Sequence, residues 1–236
     1  MKTIVITFVT ILFLTLNVFS KSKDFNWGIL GGINFSHLNG GHIEQIRQKD
    51  QLTSKFGFNA GLYFSYNVNT FSSINMELLY IEKGSFWLRP FYIPHFYGRF
   101  SWDGDYVEYR INYVELPIQY EYQVLNHKNG YQLMNVLIGP FFSYAYRASD
   151  EWIFEMAPSK DIPSDPLDRN INHFDAGLTF GLKFFLDKAE RIFVKINYDY
   201  SLINIHKNGI KRAPADFVDK KNLKMRSLLF YLGANF

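Results

Sequence analysis

Ser227-Leu228-Leu229-Phe230-Tyr231-Leu232-Gly233-Ala234-Asn235-Phe236 closes the chain, and its side chains sort into two faces. Leu228, Phe230, Leu232, Ala234 and Phe236 share one face; Ser227, Leu229, Tyr231, Gly233 and Asn235 share the other. A period of two is the signature of a β-strand. One face is continuously apolar and the final residue is aromatic. That suits a closed barrel with lipid outside and a lumen inside.

Seven segments upstream alternate in the same way. The first, 25–35, places Trp27, Ile29, Ile33 and Phe35 on one face. The second, 57–67, sets Phe58, Ala60, Leu62, Phe64 and Tyr66 against Asn59, Gly61, Tyr63 and Ser65. In 72–82, Ile74, Met76, Leu78 and Tyr80 oppose Asn75 and Glu77. In 110–122, Val114, Leu116, Ile118 and Tyr120 oppose Glu115, Gln119 and Glu121. In 131–147, Val136, Ile138, Phe142 and Tyr144 oppose Asn135, Gly139, Ser143 and Arg147. The sixth, 173–184, is the clearest: Phe174, Ala176, Leu178, Phe180, Leu182 and Phe184 against His173, Asp175, Gly177, Thr179, Gly181 and Lys183. The seventh, 191–200, sets Ile192, Val194, Ile196, Tyr198 and Tyr200 against Lys195, Asn197 and Asp199. A tilted strand needs roughly 9–11 residues to cross a bilayer, and these segments have about that length.

The connections carry a second signal. Those at 68–71, 123–130 and 186–190 are short; those at 36–56, 83–109, 148–170 and 201–223 are long. Short turns at one end and long loops at the other are the outer-membrane pattern, with the turns in the periplasm. The fold expected is all-β: an eight-stranded antiparallel up-and-down transmembrane β-barrel over residues 21–236, with four long extracellular loops. An even strand count puts both termini in the periplasm.

Residues 1–20 read as a signal peptide, with Lys2 before an apolar run from Ile4 to Leu16 and cleavage after Ser20. No later stretch approaches the eighteen consecutive apolar residues of a membrane helix. The chain has no cysteine, which excludes disulfides, zinc–cysteine sites and a lipidated N-terminal Cys. Without Lys2, 24 basic residues stand against 22 acidic ones, too balanced to suggest nucleic acid. Aromatics are 19% of the chain, yet its mean hydropathy is slightly negative, because apolar and polar residues cancel along alternating strands.

In a soluble barrel the outward face should be polar. Here the uniformly apolar face carries Phe, Leu, Ile and Tyr, and the mixed face carries the charges. An eight-stranded barrel is just wide enough for side chains to fill. A lumen network is therefore expected from Asn59, Glu77, Glu115, Asp175, Lys183, Lys195 and Asp199, joined by Glu121 and Arg147. Charges away from bulk water persist only when paired and hydrogen-bonded. The result is a plugged cylinder and not a pore.

Several short motifs, each in its place along the chain, resemble the PorT-like outer-membrane β-barrel family of Bacteroidetes-type bacteria. They are Trp27-Gly28-Ile29-Leu30-Gly31-Gly32-Ile33-Asn34-Phe35-Ser36, Glu77-Leu78-Leu79-Tyr80 followed by Lys83-Gly84, and Tyr113-Val114-Glu115-Leu116-Pro117. Gly139-Pro140, Asp175-Ala176-Gly177 with Gly181, and Leu232-Gly233-Ala234-Asn235-Phe236 complete the set. The resemblance covers essentially the whole mature chain. It implies the cell outer membrane and, for the family's namesake, a part in gliding and type IX secretion. No residue here singles out that branch.

Other constellations have plainer readings. His173 and Asp175, two apart and both expected inward, could be an acid–base or metal pair, but a lumen hydrogen-bond network accounts for them. His37 and His42 flank Gly40-Gly41 and would need a further donor to hold a metal. Ser201 and His206, with Glu108 across the barrel mouth, are weak candidates for a lipid-modifying triad, which only geometry can judge. Gly28, Gly31 and Gly32 lie in a strand with no following helix, so a nucleotide fingerprint fails its context. The second long loop crowds aromatics between cations. Trp87, Arg89, Phe91, Tyr92, Phe96, Tyr97, Arg99 and Trp102 form a candidate contact patch for sugars, headgroups or a protein; alternatively, part of this segment extends the flanking strands. The last loop is basic, with Lys207, Lys211, Arg212, Lys220 and Lys221.

The functional expectation is a non-enzymatic structural or interaction protein that displays its loops, without catalytic residues, cofactors or metals. The alternatives are an accessory subunit of type IX secretion or gliding, then a lipid-modifying enzyme, then a small-solute channel. Expected partners are outer-membrane lipid and lipopolysaccharide, the barrel-assembly machinery through the strand ending at Phe236, and a secretion-system or surface protein; nucleic acid is not one.

Overall fold

The computed structural model describes residues 24–39, 51–88, 106–126, 132–153, 171–205 and 223–236. Their period-two alternation becomes eight strands: β1 (Phe25–Asn39), β2 (Gln51–Asn69), β3 (Ser72–Leu88), β4 (Tyr106–Asn126), β5 (Gln132–Ile153), β6 (Phe174–Phe185), β7 (Ile192–Ser201) and β8 (Lys224–Asn235). Each pairs antiparallel with its neighbour, and β1 pairs with β8 to close the barrel. Closure gives the backbone of every strand a ladder partner on both sides, which an apolar surround demands. The terminal stretch that opened the reading is the closing seam, with Ile33 opposite Phe230 and Gly31 opposite Leu232.

Six strands, β1 to β5 and β8, outrun their expected lengths at the end where the long connections lie. β2 begins at Gln51, β3 continues to Leu88, β4 begins at Tyr106 and β5 runs to Ile153. The inward face does not stop where its apolar partner face thins. Lys55, Lys83 and Ser85 lie within these strands and are buried. Trp87 therefore sits in β3, opposite Val107, while the remaining patch residues, Arg89 to Trp102, fall outside the described residues.

Arg147 corrects the expected lumen. Asn112 of β4 pairs with Arg147 of β5, but Tyr113 pairs with Ala145, so Tyr146 is an extra residue without a partner. This β-bulge shifts the alternation by one. Tyr146 and Arg147 are both exposed, while Ala145 and Ala148 are buried. Arg147 leaves the lumen for the outer surface.

The exposed side of the strands is apolar. Ile29, Phe58, Ile74, Val114, Ile138, Phe180 and Leu232 are among its large exposed side chains. Inside, close packing depends on glycine at two joints. A Cβ on Gly233 would run into the Phe193 ring, and one on Gly177 into the Phe141 ring. Each glycine makes the recess that the neighbouring aromatic fills.

Candidate functional site in the barrel lumen

The inward positions form successive layers from the loop end to the end that carries the termini. At the loop end, Leu38, Tyr109, Ile111, Tyr113, Ala145, Ala148, Ile171, Ile205, Leu223 and Met225 make one buried apolar cluster. Three of them lie outside the strands: Ile171 before β6, Ile205 after β7 and Leu223 before β8. The backbone N–H of Ile205 donates to the Leu223 carbonyl at 2.8 Å, and that of Asn172 to the Ile205 carbonyl at 2.6 Å, so these short segments are stitched across the mouth.

Below the apolar cluster lies a charge cluster. The Lys83 ammonium donates to Glu115 at 2.7 Å and to Asp199 at 3.0 Å. It also lies 5.0 Å from the centre of the Phe141 ring. Ser143 donates to the Glu115 oxygen that accepts from Lys83, at 2.6 Å. Ser201 donates its hydroxyl proton to Asp175, with the Ile203 carbonyl oxygen 3.0 Å from the same Oγ. Two further ammonium groups are buried deeper. Lys195 pairs with Glu77 and lies over the Tyr231 ring, 4.5 Å from its centre. Lys183 donates to the Tyr63 hydroxyl at 2.7 Å and to Glu121 at 3.2 Å. Glu121 also accepts from Asn75 and Asn135. A second apolar cluster, including Leu30, Leu79, Phe185, Phe193 and Leu229, fills the space around these pairs. Removing two charges from water costs several kcal/mol per ion, in order-of-magnitude terms, unless partners and hydrogen bonds offset it. Each of these three lysines has its partner.

The candidate lumen residues Asn59, Glu77, Glu115, Asp175, Lys183, Lys195 and Asp199 are all buried. Six of the seven enter the ion pairs or hydrogen bonds just described; both side-chain polar atoms of Asn59 lack a protein partner. Lys83, which bridges Glu115 and Asp199, escapes the sequence reading because the expected third strand ends one residue before it. Its signal was present: Asn75, Glu77, Leu79, Ile81 and Lys83 keep the same parity. Lys55, in a segment expected to be loop, joins Glu82, Glu108 and Arg110 in a cluster across β2, β3 and β4.

The other candidates separate. Asp175 is buried in the lumen, whereas His173 lies before β6, stacks on the exposed Tyr144 ring at 5.9 Å and has Nδ1 2.8 Å from the Ala145 carbonyl oxygen. The expected inward His–Asp pair does not form, because His173 precedes the strand whose alternation was extended through it. Ser201 is held by Asp175, Glu108 is engaged by Lys55 and Arg110, and His206 and His42 lie outside the described residues. Among the described residues, no group of three or more His, Asp or Glu side chains is placed to hold a metal. At the termini end the lumen opens into a cavity of about 620 Å³, with Asn26, Ser72, Glu121, Asn135, Lys183 and Asn235 in its wall.

A family model for the outer membrane protein β-barrel domain matches residues 18–207. The chain belongs to that outer-membrane barrel family. A search of curated proteins finds no match. Among solved structures, this outer-membrane barrel is similar to Neisserial surface protein A, with 10% identity over 89% of this chain and 97% of that one and a TM-score of 0.47. It is also similar to Ail, the attachment invasion locus protein of Yersinia pestis, with 13% identity over 90% and 99% and a TM-score of 0.44. OprG of Pseudomonas aeruginosa matches with 13% identity over 91% and 97% and a TM-score of 0.38.

Proposed function

We propose that this outer-membrane barrel is a rigid, non-conducting and non-enzymatic scaffold that works through the loops it displays. The observation that carries the reading is the lumen filled at its loop end and middle, above the cavity at the termini end. Lys83, Lys183 and Lys195 are each paired with carboxylates inside it, and an apolar cluster covers its loop end. A solute path would have to break buried ion pairs and displace that cluster. The engagement of Ser201 by Asp175 and of Glu108 by Lys55 and Arg110 weighs against a triad at the mouth. In this reading residues 1–20 are removed on export, the termini and short turns face the periplasm, and the four long connections face outward. The strand ending at Phe236 meets the assembly machinery, and the aromatic, cationic segment 87–102 meets the partner.

The motifs shared with PorT-like proteins favour a second, narrower role as an accessory subunit of type IX secretion or gliding. A strain lacking the gene, tested for secretion and surface motility, separates the two. Loss of either, restored by the wild-type chain and not by one lacking 89–105, supports the accessory role. Unchanged secretion and motility leave the general scaffold.

A further inference from the structure

On the outer surface at the seam, His37 of β1 stands opposite Arg226 of β8, and Arg226 stands opposite Tyr200 of β7. The Arg226 guanidinium lies 5.1 Å from the centre of the Tyr200 ring. Lys224 lies two residues along β8 on the same face as Arg226. Below them on that face is an aromatic ladder: Phe35 meets Phe230 at 6.3 Å and Phe56 at 5.6 Å. Basic groups thus sit directly above an apolar wall.

Their height is fixed by the strand. Trp27, which contacts Phe236 at 5.1 Å, lies in the aromatic layer at the termini end with Phe25, which stacks on Phe64 at 6.3 Å. His37 lies ten residues further along β1. At ~3.3 Å per residue and a tilt of ~40°, that distance spans ~25 Å along the barrel axis, the height of an outer-membrane apolar band. His37, Arg226 and Lys224 therefore lie at the opposite membrane–water boundary. Among the described residues of β7, β8, β1 and β2, no acid faces them. Asp199 points into the lumen, bound to Lys83, and Asp24 is at the other end.

We infer that this patch is a binding site for the phosphate-bearing headgroup of a lipid in the loop-side leaflet, with the acyl chains against Phe35, Phe56 and Phe230. Lys224 and Arg226 supply charge, Tyr200 orients the guanidinium, and His37 adds a donor beside it. Phosphate fits this set because a guanidinium can donate two bonds to its oxygens while the ammonium neutralises the remaining charge. The inference rests on the reading of the chain as an inserted barrel with its loops outward.

The test uses the full mature chain refolded into phosphatidylcholine vesicles, with spin-labelled phosphatidic acid or phosphatidylcholine as the probe. Heat-dependent gel mobility and trypsin protection report insertion separately. The inserted wild type should hold phosphatidic acid in its motionally restricted shell in preference to phosphatidylcholine. Arg226→Gln and Lys224→Gln should each lower that preference about fivefold, the effect of one cation near a charged surface. Arg226→Lys should retain most of it, and Arg191→Gln, at the other end, should leave it unchanged. High salt should weaken it in the wild type, an arm that needs no variant. An inserted wild type without preference overturns the site, as does a preference indifferent to both glutamine variants or, should those not fold, to salt. A chain that does not insert overturns the barrel reading and the site with it.

Discussion

Lys183 and Lys195 stand directly opposite each other in the register of β6 and β7, yet their ammonium groups turn to different carboxylates. Lys183 reaches Glu121 and the Tyr63 hydroxyl, and Lys195 reaches Glu77. Two like charges across a ladder repel. Lys195 is neutralised from the opposite wall by Glu77 on β3, and Lys183 by Glu121 two strands away on β4, with its second bond crossing to Tyr63 on β2. The lumen is thereby tied across its diameter, and the arrangement predicts where the barrel is vulnerable.

Lys195→Met leaves the Glu77 carboxylate buried without its partner. Breaking a buried pair costs about 3–5 kcal/mol, whereas replacing both members by apolar groups of similar volume is often near neutral. Denaturant unfolding in vesicles should therefore show a large loss for Lys195→Met and recovery of most of it in Lys195→Met/Glu77→Leu. A double variant no better than the single one would deny the pair its role.

Phe180 and Thr179 are neighbours on opposite faces of β6, with Phe180 exposed and Thr179 accepting from Gln119 at 3.3 Å. Phe180→Arg should cost about 2–4 kcal/mol near the bilayer midplane. Thr179→Ser keeps the acceptor and should be nearly silent. Equal tolerance of Arg at both positions would contradict the assigned faces.

Gly233→Val drives a Cβ and its two methyl groups toward the Phe193 ring. Overpacking of this kind costs about 1–3 kcal/mol. Urea midpoints of the folded barrel should fall, and Gly233→Val/Phe193→Leu should regain part of the loss. Full stability in the single variant would mean that the joint does not confine the ring.

Period two made the face assignment legible, because a strand offers each side chain only two directions. It failed where the ladder itself is irregular. Tyr146 is an extra residue in β5, and no feature of the surrounding alternation marks it, so Arg147 was assigned to the wrong face. It also failed where an inward face loses its apolar partner. Lys55 looks like a loop residue in sequence, and Lys83 continues the inward parity of β3 just past the expected end of the strand; the ladder beyond the apolar band shows both inside. The apolar cover at the loop end was hidden for a different reason. Ile171, Ile205 and Leu223 are single apolar residues beside polar connections, brought together only by closure of the barrel.

The sequence predicts processing between Ser20 and Lys21, leaving a mature chain that begins at Lys21. N-terminal sequencing of protein from the outer-membrane fraction should read Lys-Ser-Lys-Asp. Recovery as a soluble periplasmic species, or with the first residues retained, would contradict the exported, inserted form.

Planar-bilayer recording of the refolded full mature chain tests most directly whether the lumen is closed. With Lys83, Lys183 and Lys195 tied to carboxylates and the loop end covered by the Tyr109–Met225 cluster, no stable, well-defined conductance should appear. Reproducible single-channel steps whose size or ion preference changes in Lys195→Glu would show that solutes pass the buried pairs, and a channel would then be the better reading.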